Sequence, residues 1–328
     1  MSEVSASTSA RFGNLKFIAA ILVVMLHVVN AMPKEGPSFA SGFIMHGLCA
    51  VAVPFFFFAA GYFLSLKFSR SGWWGAAVER RVGSLLVPYV AFNMACWIAT
   101  DPFSLGGVKE PFGFPLCMPL YNVTWFLRAL FLFVLVSPLV ECFSRSRKRF
   151  GIFVACIIAI IVVLAGLSVS SEVHEMLTYG FPLYGFLYFT FGCYAGRNGM
   201  QLKPFSGIVP WLCGIVSVLI MCWCVTHEKL AYIVISYPLL LILLWRLAPA
   251  RPFPKWLTSA TCAIYLLHPA MIFAVSKVLS RKHSLDFILS SYWGAVLLIV
   301  AIVVISVLIS NIVGRKLPLV SRIFFGGR

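Results

Sequence analysis

An all-α, polytopic membrane protein of about ten transmembrane helices is the fold this sequence predicts, on three observations. Of 328 residues, 61% are hydrophobic and only 11% are charged, with a mean hydropathy of +0.96, a composition outside the range of soluble domains. Apolar runs long enough to cross a hydrocarbon core recur from end to end, leaving little sequence for an aqueous domain. The basic residues gather in short loops on alternate sides. With the amino and carboxyl termini both in the cytoplasm, about 18 of the 26 Lys and Arg fall inside and about six outside. The net charge of +16 is therefore a topology signal facing the lipid bilayer, and no nucleic-acid partner is expected. The ten cysteines contain no CxxC pair and lie mostly within apolar runs, where Cys behaves as a small hydrophobe. Neither a disulfide framework nor a metal site is expected.

Residues 1–10 are rich in Ser and Ala and are expected to be a disordered tail, 11–314 a ten-helix membrane domain, and 315–328 a basic cytoplasmic tail. The first span, about 11–31, lacks a small-residue cleavage site and so is not expected to be a removable signal peptide. It carries Lys16 and His27. Eleven residues on an α-helix make about three turns plus roughly 20°, so the two share one face about 16 Å apart along the axis. Ionisable groups at membrane depth are costly and usually face a cavity or a partner.

The second span, about 43–66, contains Pro54, which is expected to kink it, and four successive Phe before Gly61. A basic inner loop ending in Glu79-Arg80-Arg81 leads to a third span, about 83–99, with Pro88 one turn in. The longest outer loop, 100–120, carries Asp101, Lys109 and Glu110, a length that suits a lid. The fourth span opens TWFLRALFLFVLVSPLV; Trp125 fits the interfacial aromatic belt, and Arg128 lies about one turn deeper. Spans at about 151–168, 180–197, 207–225 and 230–247 follow, with Glu172, His174 and Glu175 in a solvated outer loop. The ninth, about 257–279, contains AIYLLHPAMIF. There Pro269 has no N–H for the carbonyl of Tyr265, so a carbonyl, a phenol and the imidazole of His268 share one turn. The tenth, about 289–311, is apolar throughout.

The bilayer interior thus holds two His, one Lys and one Arg with no Asp or Glu at its midplane. Buried cations without carboxylates call for an anion, and a ligand is one source. Imidazole suits proton transfer near neutral pH. A His that takes a proton from a hydroxyl, while Lys and Arg hold an anionic cosubstrate, describes group transfer to an alcohol. The same side chains would also suit the path of a transporter or flippase for a glycan or small anion.

Several stretches together resemble the acyltransferase 3 family of bacterial membrane proteins. They are Lys16 with His27, the Pro54–Tyr62 stretch PFFFFAAGY, the basic residues before Pro88, Trp125-Phe126 with Ser137-Pro138, and Tyr265-Leu266-Leu267-His268. The resemblance implies a ten-helix domain in the bacterial inner membrane. It further implies transfer of an acyl group, usually acetyl, from cytosolic acyl-CoA to a hydroxyl of a cell-surface glycan or its lipid-linked precursor. It implies a catalytic role for His27 and donor-binding roles for Lys16 and Arg81; Arg80 and Arg128 are the further candidates for the anionic donor, and His268 and Tyr265 for orienting His27. The sequence departs from the family pattern at Gly13, where Asp is usual, at Ala60, where Ser is usual, and at Ser84 and Leu85, where a further Arg is often found.

Overall fold

The computed structural model describes residues 4–32, 39–100, 119–166, 179–200, 202–279 and 291–326. In chain order its helices are α1 (Ala6–Ala31), α2 (Phe39–Ser65), α3 (Trp73–Ala99), α4 (Asn122–Ser144), α5 (Arg147–Gly166) and α6 (Leu183–Arg197). They continue with α7 (Val209–Thr226), α8 (Tyr237–Leu247), α9 (Thr261–Leu279), α10 (Tyr292–Lys316) and α11 (Pro318–Phe325). No strand occurs among the described residues. Among the described residues seven helices, α1, α2, α3, α4, α7, α9 and α10, are long and apolar enough to cross a membrane. The other three expected spans fall on α5, α6 and α8: α6 and α8 have 15 and 11 residues, and α5 opens with Arg147, Lys148 and Arg149. The outer-loop residues Asp101, Lys109, Glu110, Glu172, His174 and Glu175 lie outside the described residues.

Both expected tails are partly helical. The α1 helix begins at Ala6, inside the stretch expected to be disordered, because the Ser5 hydroxyl accepts from the Thr8 N–H at 3.2 Å and caps an orphan donor. It ends at Met32, extended (ψ 144) ahead of Pro33, as a residue before proline must be. At the other end α10 runs on to Lys316, and the expected tail folds into α11, with Phe325 buried and Phe324 edge-on to Phe92 at 5.4 Å.

Prolines set the irregularities. Within α2 the irregularity lies just before Pro54: a π-helical segment, Phe43–Cys49, passes through a turn at Ala50 and Val51, and Pro54, which has no N–H for the Ala50 carbonyl, falls in the first turn of the regular helix from Ala52. A second π-segment, Val82–Leu86, lies just before Pro88. The third span was expected from about residue 83; its helix starts a full ten residues earlier, at Trp73, so Glu79, Arg80 and Arg81 are helical and not in a loop. Pro138 and Pro269 sit inside continuous helices.

The chain forms two compact units, Glu3–Phe56 with Gln201–Val313 and Phe57–Met200 with Gly314–Arg328. In the first, α1, α9 and α10 share an apolar core that includes Val24, Val28, Ile264 and Ile302. The first turns of α1 also bind the segment after α8. Arg11 Nη1 donates to the carbonyls of Trp245 at 2.7 Å and of Ala248, oxygens that a helix end leaves without partners. Asn14 is fully buried; its Nδ2 donates to Pro249 O at 3.0 Å and Arg251 O at 2.8 Å, and its Oδ1 accepts from Phe253 N–H at 2.8 Å. Replacing Asn14 by Leu strands two carbonyls and an amide, at about 1–3 kcal/mol each. A marked fall in thermal midpoint in detergent is expected, and an unchanged midpoint would contradict this account.

In the second unit, Phe57, Phe126, Phe133, Phe186 and Phe189 form an aromatic core. There α2 and α6 touch backbone to backbone: a Cβ at Gly61 would strike Phe189 O, and one at Gly192 would strike Phe58 O. Only glycine permits this approach. Gly192→Val should cost about 1–3 kcal/mol or more, read as loss of the monodisperse detergent-solubilised protein; normal yield and midpoint would refute it.

Candidate active site

The expected site residues divide between the two units. Lys16, His27, Tyr265 and His268 belong to the unit of residues 3–56 and 201–313; Arg80, Arg81 and Arg128 belong to the other.

In the first of these, α1 packs along α9 and brings His27 against His268, ring centroids 4.9 Å apart with planes inclined at 42°. Tyr265 lies edge-on to His268 at 6.1 Å, and Phe56 lies edge-on to Tyr265 at 6.5 Å. His268 is fully buried, whereas His27 is half-buried. The Nδ1 of His268 is 3.2 Å from the carbonyl oxygen of Ile264 in its own helix. A carbonyl only accepts, so Nδ1 carries the proton in the neutral ring and Nε2 keeps a lone pair. That Nε2 has no hydrogen-bond partner within the protein, although a buried polar atom is normally satisfied. Lys16 is half-buried, three turns from His27 on the same helix. Helix geometry placed His27 and Lys16 on one face, and His268 entered only as a candidate for orienting His27.

In the other unit Arg80 and Arg81 occupy the last turn before the π-segment Val82–Leu86, a form of backbone irregularity common at functional sites. Lys67, between α2 and α3, is held below the ordinary lysine range by burial and then by the charges of Arg80, Arg81 and Arg70. Cations therefore crowd this end of α3. Arg128 is 9% exposed, which is buried and not reaching out to an interface. Its Nη2 donates to Tyr179 O at 3.5 Å, and the Tyr89 hydroxyl also bonds it. Among the described residues the ion pairs centre on one carboxylate, Glu141, with Arg145 at 2.9 Å and Arg197 at 3.2 Å. No three His, Cys, Asp or Glu side chains among the described residues form a metal-binding group.

Sequence reasoning missed two features beside these residues. One is the Asn14 bracket, two residues before Lys16. The other is the pair Trp73 and Trp74, which tie α3 to α4.

Several apolar helices of spanning length, with a histidine pair and clustered cations among them, mark a multi-pass membrane protein. The sequence matches the acyltransferase 3 family, described as an acyltransferase domain, over residues 10–313. The chain belongs to that family and is a membrane acyltransferase. No curated protein and no solved structure matches it.

Proposed function

We propose that this protein transfers an acyl group, most simply acetyl, from cytosolic acyl-CoA to a hydroxyl of a cell-surface glycan or its lipid-linked precursor, in a bacterial cytoplasmic membrane with both termini inside. The observation that carries the reading is the contact between His27 and the buried His268. His27 removes the proton of the acceptor hydroxyl as its oxygen attacks the thioester carbon; the tetrahedral intermediate collapses, the C–S bond breaks, and the proton passes from His27 to the departing CoA sulfur. In the reacting complex the lone pair on His268 Nε2, unpaired in the structure, accepts an N–H from the adjacent His27, which keeps the other nitrogen of His27 as the base and steadies the imidazolium when it forms. Tyr265 packs on His268 and restrains its ring. Lys16, Arg80 and Arg81 take the donor's phosphates, for which a charged pair of guanidinium forks is suited, and Arg128 is a further buried cation for the anionic donor.

The test supplies radiolabelled acetyl-CoA to membranes containing the full chain and identifies the labelled product. Label in an alkali-labile ester of a glycan or glycolipid is expected. Transmembrane flux of a glycan or small anion without acetyl-CoA consumption would overturn the reading in favour of a transporter.

A further inference from the structure

The helix that carries Arg80 and Arg81 is fastened to its neighbour by two adjacent tryptophans. In α4, Pro138 has no N–H to offer the carbonyl of Val134, so that oxygen has no helical donor. The Ser137 hydroxyl takes it at 2.7 Å, and the indole N–H of Trp74, from the first turn of α3, reaches the same oxygen at 3.2 Å and that of Leu135 at 3.2 Å. About two turns on from Val134, Trp73 donates its indole N–H to Glu141 Oε2 at 3.1 Å. Glu141 is held in turn by Arg145 and by Arg197 of α6, and Arg197 lies over Phe68, which packs on Trp73 at 4.5 Å.

A tryptophan in an interfacial belt ordinarily turns its N–H to water and lipid headgroups. Here both indoles are spent on α4. Arg80 and Arg81 follow six to eight residues later on the same helix, about 9–12 Å along its axis, and the π-segment Val82–Leu86 comes directly after them. Regular helix therefore joins the fastened end to the arginines, and the irregular backbone lies beyond them.

We propose that Trp73 and Trp74 are positioning residues for the acyl donor, Trp74 through the carbonyl that Pro138 leaves without a helical donor and Trp73 through Glu141, and that this latch sets where Arg80 and Arg81 stand. The inference rests on the assignment of the donor's phosphates to those two arginines. The latch makes no contact with donor or acceptor; it acts by fixing the rotation and depth of one helix.

The experiment uses the full chain in lipid nanodiscs and measures equilibrium binding of acetyl-CoA and, in parallel, of S-acetylpantetheine, which has the thioester but no phosphates. The double variant Trp73→Phe/Trp74→Phe keeps both aromatic bodies and removes both N–H groups. Pro138→Ala, a second variant, restores a helical N–H to compete with Trp74 for Val134 O. Each is expected to weaken acetyl-CoA binding about tenfold while leaving S-acetylpantetheine binding unchanged, since misplaced guanidinium groups affect only the phosphates. Equal weakening of both ligands, or of neither, would overturn the latch. Arg81→Ala is measured beside them. If it leaves acetyl-CoA binding unchanged, the donor-site assignment itself falls; if it weakens binding and the tryptophan variant does not, only the latch falls.

Discussion

Replacing His27 by alanine is expected to reduce transfer of label from acetyl-CoA by about 10²- to 10⁴-fold, the usual cost of losing a general base. The protein should still be made and inserted. His27 is half-buried and contributes its ring to a contact with His268, whereas the apolar core around α1 is built from other positions, among them Val24 and Val28. The thermal midpoint should therefore fall little, and acetyl-CoA should still bind, because the groups assigned to its phosphates are elsewhere. Turnover within a few-fold of the unaltered protein would remove His27 from the mechanism. Loss of turnover accompanied by loss of folding would show that the residue matters for packing.

His268→Phe is expected to give the second-largest effect. Phenylalanine fills the ring's volume but supplies no Nε2 lone pair, so His27 loses the acceptor proposed to orient it during the reaction. Misplacing a reacting group by a fraction of a turn can cost roughly 10²-fold, and a fall of that order in turnover, with acetyl-CoA affinity unchanged, is the expected outcome. The double variant His27→Ala/His268→Phe should be no slower than His27→Ala alone, because residues that act as one unit do not add. Additive losses would mean that His268 acts independently of His27, and the proposed pairing would be wrong.

What could be read from the sequence followed from short-range rules. The positions of α1, α2, α4, α7, α9 and α10 follow from apolar runs of spanning length, and the stripe shared by Lys16 and His27 follows from helix geometry alone. Pairing of His27 with His268 joins residues 241 positions apart, and no periodicity within one helix encodes it; His268 and Tyr265 stood as alternative candidates for orienting His27, with no geometry to choose between them. Pro138 drew notice only within the Ser137-Pro138 motif, and the donor that reaches the carbonyl it leaves free, Trp74, is 60 residues away. The start of α3 was misread for a related reason. Glu79, Arg80 and Arg81 look like loop residues by hydropathy, yet charged side chains at the end of a spanning helix reach the interface without breaking it. Asn14 and Arg11 were unreadable as structural residues because their partners are carbonyls, which every residue possesses.

The bracket that Arg11 and Asn14 make with residues 245–253 bears on the order in which the protein can be assembled. The amino-terminal helix leaves the ribosome first, but the backbone atoms that satisfy Asn14 are synthesised some 235 residues later. Until then a carboxamide must stay hydrated or find temporary donors and acceptors. The other unit is completed only when Gly314–Arg328 has been added. One unit cannot close before residues 245–253 are made, nor the other before Gly314–Arg328, so a chain arrested upstream of these segments should be a ready substrate for membrane quality-control proteases.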